Sequence, residues 1–239
     1  MAWLIYAVLP SSPSSLPALA GVDGATLATV RHSDLCAAVS RHAGTPTVSV
    51  AATLAFGDVV TALWARANVV PLRFGSSFGA RRELLAWLDA EHGAFRTLLR
   101  LVGGCAEIGL RFALAQTVRG EHLIPGCGEG HAYLAARMRQ VEATWRHEFA
   151  AHGQAERFAA ALTGGYRCWR FDGVSQGFVG MTFLVPRPDV DDFVRACQRY
   201  AGEAGGPLYI SGPWPPYSFA MSGATPFAAA LPPSNHGKR

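Results

Sequence analysis

The sequence predicts an α+β protein of two domains, an N-terminal modified ferredoxin-like domain followed by a C-terminal ferredoxin-like (βαββαβ) domain. Three observations carry this. The second half reads in order as strand, helix, strand, strand, helix, strand, the split βαβ pattern, and the first half has a related count with an irregular start. The chain has 239 residues, 50% of them apolar, enough for two cores of ordinary domain size. Gly103 and Gly104 interrupt the longest helical period and place a boundary there, giving domains at 1–103 and 104–226, with a polar tail at 227–239 that is expected to fray.

The elements follow from local pattern. MAWLIYAVL at the start is apolar with no cationic run before it, and SSPSSLP reads as a loop, so a buried strand is preferred to a signal peptide. Ala25–Arg31 alternates weakly, and with Leu35–Val39 makes two further strands. Leu54, Val59, Val60, Leu63 and Trp64 lie near one face of a helix over Thr53–Arg66, which Asn68 ends before a short strand at Val69–Leu72. One helix is then predicted from Ala80, since Leu84, Leu85, Leu88, Phe95, Leu98, Leu99 and Val102 keep helical spacing. In the second half, Cys105–Gln116 alternates with the period of a half-buried strand, and a helix is expected over His131–His152. Tyr166–Phe171 and Gln176–Val185 flank DGVS as a hairpin. Asp189–Tyr200 has acids first and Arg195 and Arg199 late, the polarity of a helix, and Pro207–Ser211 is the last strand.

Composition excludes several classes. The net charge of +4 comes from only 16% charged residues, scattered along the chain, which makes a poor nucleic-acid footprint. The apolar stretch Leu98–Leu114 is broken by Arg100, Glu107 and Arg111, which argues against a lipid-spanning helix. Low charge with 26 glycines suggests a surface that spends time against a partner. Five cysteines (Cys36, Cys105, Cys127, Cys168, Cys197) with no CxxC pair read as reduced, mostly buried thiols of a cytosolic protein.

No constellation of catalytic, cofactor or metal-binding residues is expected. HEFAAH places His147 and His152 five residues apart, about 140° around a helix, so their nitrogens do not converge on one ion. PGCGEGH at 125–131 has neither the spacing of a dinucleotide fingerprint nor that of a P-loop and reads as a crossover loop. Cys105 or Cys127 with His122 or His131, and Ser76 and Ser77, lack a motif that ties nucleophile to base. Asp191 and Asp192 are accounted for by a helix first turn.

Two stretches stand out as rigid. In VVPLRFGSSF (69–78), Pro71 fixes φ, Gly75 supplies freedom for a turn from strand into helix, and Arg73 and Phe74 lie between them. In GPWPPYSFAM (212–221), Gly212 leads into Pro213, Pro215 and Pro216, which hold Trp214, Tyr217 and Phe219 in a stiff segment with few backbone donors. The aromatic segment reads as an anchored strand end that packs the domains together in preference to a docking element. Arg73 and Glu107 are charges within apolar strand-like stretches, and two readings stay open: a pair between the domains, or edge positions facing solvent.

VVPLRFGSSF, the long helix after it, the CAEIGLRF strand and GPWPPYSF, in that order and after the opening WLIYAVLP, resemble the gas vesicle protein GvpL/GvpF family over nearly the whole chain. The resemblance implies a non-enzymatic accessory protein of gas vesicle assembly, without cofactor. It would be a minor vesicle component that binds the hydrophobic major shell protein, limits its aggregation and meets other accessory proteins. It further implies a place at the vesicle wall, and in the cytoplasm before assembly. The family-motif positions would be Pro71, Arg73, Phe74, Gly75, Glu107, Gly212, Trp214, Pro215, Pro216, Tyr217 and Phe219, in structural or partner-binding roles. The alternative class is a small-molecule-binding regulatory or enzymatic protein with a ligand cleft between two ferredoxin-like domains, which rests on fold analogy alone.

Overall fold

The apolar opening residues form β1 (Ala2–Pro10), which is central to the first of two sheets. The computed structural model describes residues 1–11, 19–114, 130–204 and 206–220, with backbone only at 130–136, 140, 142–144 and 204. Two compact units are present among the described residues, one of Met1–Cys105 with residues 214–220, the other of Ala106–Pro213. The limits expected from sequence were 1–103 and 104–226; in the structure residues 214–220 count with the first unit instead, and residues 221–239, the expected tail at 227–239 among them, lie outside the described residues.

In the first unit β1 pairs antiparallel with β3 (Leu35–His42), β3 with β2 (Leu27–His32), and β1 on its other side with β4 (Val70–Pro71) and β5 (Ser77–Phe78). Every residue from Leu4 to Leu9 is buried, so β1 is covered on both faces and needs no polar face, which is why its sequence runs apolar rather than alternating. α1 (Val50–Trp64) begins where Ser49 Oγ accepts from the Ala52 amide at 3.1 Å, and lays Phe56, Val59, Val60 and Leu63 against Leu4, Tyr6 and Ala38.

The single helix expected from Ala80 to Val102 is two: α2 (Arg81–Ala90) and α3 (His92–Val102), separated by Glu91 at φ −96°, ψ 8°. The apolar period hides this break because Leu84, Leu88, Phe95 and Leu98 are buried on both sides of it. The contacts beside the break are polar and distant in sequence. His32 Nε2 lies 3.0 Å from Asp89 Oδ1, and Asp34 on the β2–β3 turn is met by His92 Nε2 at 2.5 Å and Arg96 Nε at 3.3 Å. The His92 hydrogen bond above all holds the Asp34 carboxyl below its ordinary range.

The second unit runs β6 (Cys105–Ala113), α4 (Gly130–Ala161), β7 (Cys168–Ser175), β8 (Phe178–Pro186), α5 (Val190–Ala204) and β9 (Leu208–Trp214), with β6 starting at the last residue of the first unit. Its sheet order is β7-β8-β6-β9. Ile108, Leu110 and Phe112 of β6 and Val179, Met181, Phe183 and Val185 of β8 face a core closed by Phe158 of α4 and Phe193 and Cys197 of α5. α4 extends well past the expected end at His152, because Ala151, Ala155, Phe158 and Ala159 form a buried stripe that outweighs the helix cost of Gly153.

The hairpin is real but its turn is displaced. The reversal falls at Gln176 and Gly177, both at positive φ (51° and 79°), the demand of a two-residue primed turn. Asp172–Gly173, expected as the turn, instead interrupts the register inside β7, with Gly173 at φ 95°.

Candidate partner-docking site

VVPLRFGSSF and the part of the second stretch from Trp214 on come together in the first unit. VVPLRFGSSF is not the strand-to-helix corner expected of it but a strand, turn and second strand laid along one side of β1. Leu72 N donates to Tyr6 O at 2.9 Å, and Ile5 N donates to Ser76 O at 2.9 Å. Between them the chain loops outward through Arg73, Phe74 and Gly75, closed by Ser76 N donating to Arg73 O at 3.1 Å, with Gly75 at φ 92°. Pro71 is buried, Phe74 turns back so that its ring meets Phe56 edge-on at 5.5 Å, and Arg73 is exposed on the loop.

Beneath this loop Tyr6 anchors the polar interior. Its ring stacks on Phe56 at 4.8 Å; its hydroxyl bonds to Ser40 Oγ at 2.8 Å and accepts from Val22 N at 2.9 Å. A Cβ on Gly21 would stand 2.4 Å from that hydroxyl, so only glycine permits the approach. Nothing in the sequence pattern announces this network, because a tyrosine in an apolar strand looks the same with or without a partner.

GPWPPYSF divides into an outward and an inward part. β9 is the last strand of its sheet, and Leu208 and Ile210 pack inward while Tyr209 and Trp214 are exposed. Ser211 Oγ approaches so near that a Cβ on Gly109 of β6 would lie 2.6 Å from it. After Gly212, at φ 113°, and Trp214, Pro215 and Pro216 are buried and the short helix α6 (Tyr217–Ala220) begins. Tyr217 packs with Phe74 against the core of β1 and α1, and Phe219 is only 8% exposed, whereas Trp214 keeps 53% of its surface in solvent. Tyr217 and Phe219 are thus held in the core of the first unit, and Trp214 is not. Glu107 is half-buried in β6.

Two of the thiols, Cys36 and Cys197, are unsuited to nucleophilic work near neutral pH. Cys36, Cys105 and Cys197 are buried and Cys168 half-buried, while Cys127 and His122 lie outside the described residues, as do residues 125–129 of PGCGEGH and the side chain of His131. Burial pushes the Cys36 thiol up and that of Cys197 up to about 12, so neither offers a thiolate near neutrality. On α4 His147 is exposed, and His152 Nδ1 lies 3.4 Å from Glu156 Oε1, a helix-surface pair. Asp192 pairs with Arg195 one turn on. Among the described residues no group of three metal-ligating side chains occurs, and no helix is long and apolar enough to cross a membrane. An open cavity of about 340 Å³ in the second unit is lined by Phe112, Leu114, Phe158 and Tyr200, with Gln154 and Arg157 as its polar groups.

The fold is that of a mixed helix-and-sheet protein with two antiparallel sheets, and solved gas vesicle proteins share it. GvpF from Anabaena sp. PCC7120 superposes with a TM-score of 0.65 at 15% identity, over 92% of this chain and 96% of its own. GvpF from Microcystis aeruginosa gives 0.68 at 13% identity, over 92% and 99%. No curated protein sequence matches significantly. The chain belongs to the gas vesicle synthesis protein GvpL/GvpF family, whose model matches residues 2–221. The resemblance seen in the sequence motifs is thus correct, and the protein is a member of a gas vesicle assembly family.

Proposed function

We propose that this protein is a non-enzymatic accessory component of gas vesicle assembly that binds the major shell protein and covers its apolar face before it polymerises. The observation that carries the reading is the division of GPWPPYSF: buried Pro215, Pro216 and Phe219 fix the backbone, and Trp214 stands outward at the end of an edge strand. A large aromatic on a backbone already fixed gives contact area at low ordering cost, and an edge strand offers unpaired main-chain groups to an extended or hairpin partner. Tyr209 adds a second exposed ring on the same strand. Its place would be the vesicle wall, with a cytoplasmic stage before assembly and further contacts to other accessory proteins. The second unit is read as a ferredoxin-like module, supported by its βαββαβ element order and its β7-β8-β6-β9 sheet.

Light scattering of purified shell protein tests this. Substoichiometric to equimolar amounts of the protein delay shell aggregation, and the Trp214→Ala variant, folded by circular dichroism, loses that effect. No binding and no delay by the wild type would sink the reading. The cavity lined by Phe112, Phe158 and Tyr200 favours a second reading, a small apolar ligand held within the second unit. A melting temperature raised by such ligands, with no effect on shell aggregation, would support it.

A further inference from the structure

Where β6 ends at Ala113, α4, α5 and the chain entering β9 stand around its last residues without closing over them, and leave an open cavity of about 340 Å³. One wall is built of rings. Phe158 of α4 stacks on Phe112 of β6 at 4.8 Å and 18°, and Tyr200 of α5 meets Phe158 edge-on at 4.8 Å. Leu114 extends this wall, and the polar side of the cavity is Gln154 and Arg157 on α4. A Cβ on Gly153 would lie 3.6 Å from Arg157 Nη1, so the guanidinium lies back along α4 toward the turn that carries Gln154.

Charge at the cavity has one sign. Arg157 is the one charged residue among the described residues that line it, and it makes no ion pair with any of them. Its neighbour Glu156 is engaged by His152 at 3.4 Å, and Glu203, one turn on from Tyr200, is exposed and does not line the cavity. The Tyr200 hydroxyl is a second donor without a hydrogen-bond partner among the described residues. We propose that the cavity binds a small amphipathic carboxylate, its apolar body among the rings and its carboxylate on Arg157 at the rim. At about 30 Å³ for each non-hydrogen atom, the share of a water molecule in its liquid, the cavity holds on the order of ten such atoms, the size of octanoate. An inorganic anion has no apolar body to place against Phe112 and Phe158, and a hydrocarbon leaves Arg157 without a partner. The inference rests on the second reading above, a small ligand within the second unit, and narrows that ligand from apolar to amphipathic and anionic.

Isothermal titration calorimetry of the full chain with octanoate and with octanol, at about 50 mM salt, tests this. Octanoate binds with a dissociation constant of about 0.1–1 mM, as expected for so small a ligand, and octanol binds about fivefold more weakly. Arg157→Gln, at an exposed position, weakens octanoate about fivefold and leaves octanol unchanged. Gln154→Trp, folded by circular dichroism, fills the rim and weakens both more than about tenfold. Equal affinity for the two ligands, or an Arg157→Gln variant that weakens both alike, overturns the carboxylate assignment and leaves the apolar-ligand reading standing. Binding of neither ligand overturns both. Octanoate bound by Gln154→Trp as tightly as by the wild type overturns the cavity as the site.

Discussion

Phe219→Ala and Trp214→Ala, five residues apart on one rigid segment, should differ in what they damage. Phe219 buries all but 8% of its surface, and an aromatic ring of about 200 Å² so placed stabilises by roughly 4 kcal/mol, in the range measured for phenylalanine truncation in cores. For a protein of this size that is a fall of about 8–16 °C in melting temperature. Trp214, with 53% exposed, covers about half its area, and its truncation costs about 3 kcal/mol at most. Differential scanning calorimetry reads both, and shell-protein capture reads the second consequence: Trp214→Ala remains folded at 25 °C and loses capture. A Phe219→Ala variant melting within about 2 °C of wild type would refute the inward assignment. A Trp214→Ala variant that melts as low as Phe219→Ala would refute the outward one.

Three further outcomes follow from the geometry. Tyr6→Phe strips the buried Val22 amide of its 2.9 Å partner and Ser40 of its 2.8 Å one, and costs about 2–3 kcal/mol in urea unfolding, more than a methyl-sized change would. Gly177→Ala forces a Cβ into φ 79° at the β7–β8 turn and costs about 1 kcal/mol, whereas Gly57→Ala within α1, where a Cβ meets nothing, stabilises slightly. The Cys197 thiol, raised from an ordinary 9.0 to about 12, keeps its contribution below pH 9. It loses that contribution as pH climbs toward 12, because the unfolded chain ionises while the folded one does not. Between pH 8 and 10 the wild type therefore loses about 1 kcal/mol more than Cys197→Ala, as read by urea midpoints; equal losses would discard the buried-thiol account.

Elements were legible where one physical demand dominated the pattern. β1 is written as an unbroken apolar run because both its faces are covered, and β6 as a strict alternation because its outer face is not. The errors fall where two demands overlap. The α2–α3 break was invisible because both helices feed the same apolar period, while the polar contacts beside it, from Asp34 to His92 and Arg96, join residues far apart in sequence. The hairpin turn was misplaced because Asp-Gly is a strong turn signal in its own right, and here the same freedom at positive φ serves a register shift inside β7.

The motif residues were found by composition, but composition does not say which way a ring points. Prolines and aromatics mark a segment as rigid and contact-rich, and a segment anchored in a core and one presented to a partner share that signature. The two are reconciled here by alternation along a few residues: Pro215, Pro216 and Phe219 are taken inward, Tyr217 closes against Phe74, and Trp214 is left outside. The same logic applies to VVPLRFGSSF, where buried Pro71 and the Phe74 ring on Phe56 hold a loop that presents Arg73. In each stretch the residues that make the motif recognisable are mostly the ones that do the holding, and the one presented is fixed by them. Substituting a holder such as Phe219 should therefore lower the melting temperature, and substituting Trp214 should lower it less while removing the capture of shell protein that the proposed function requires.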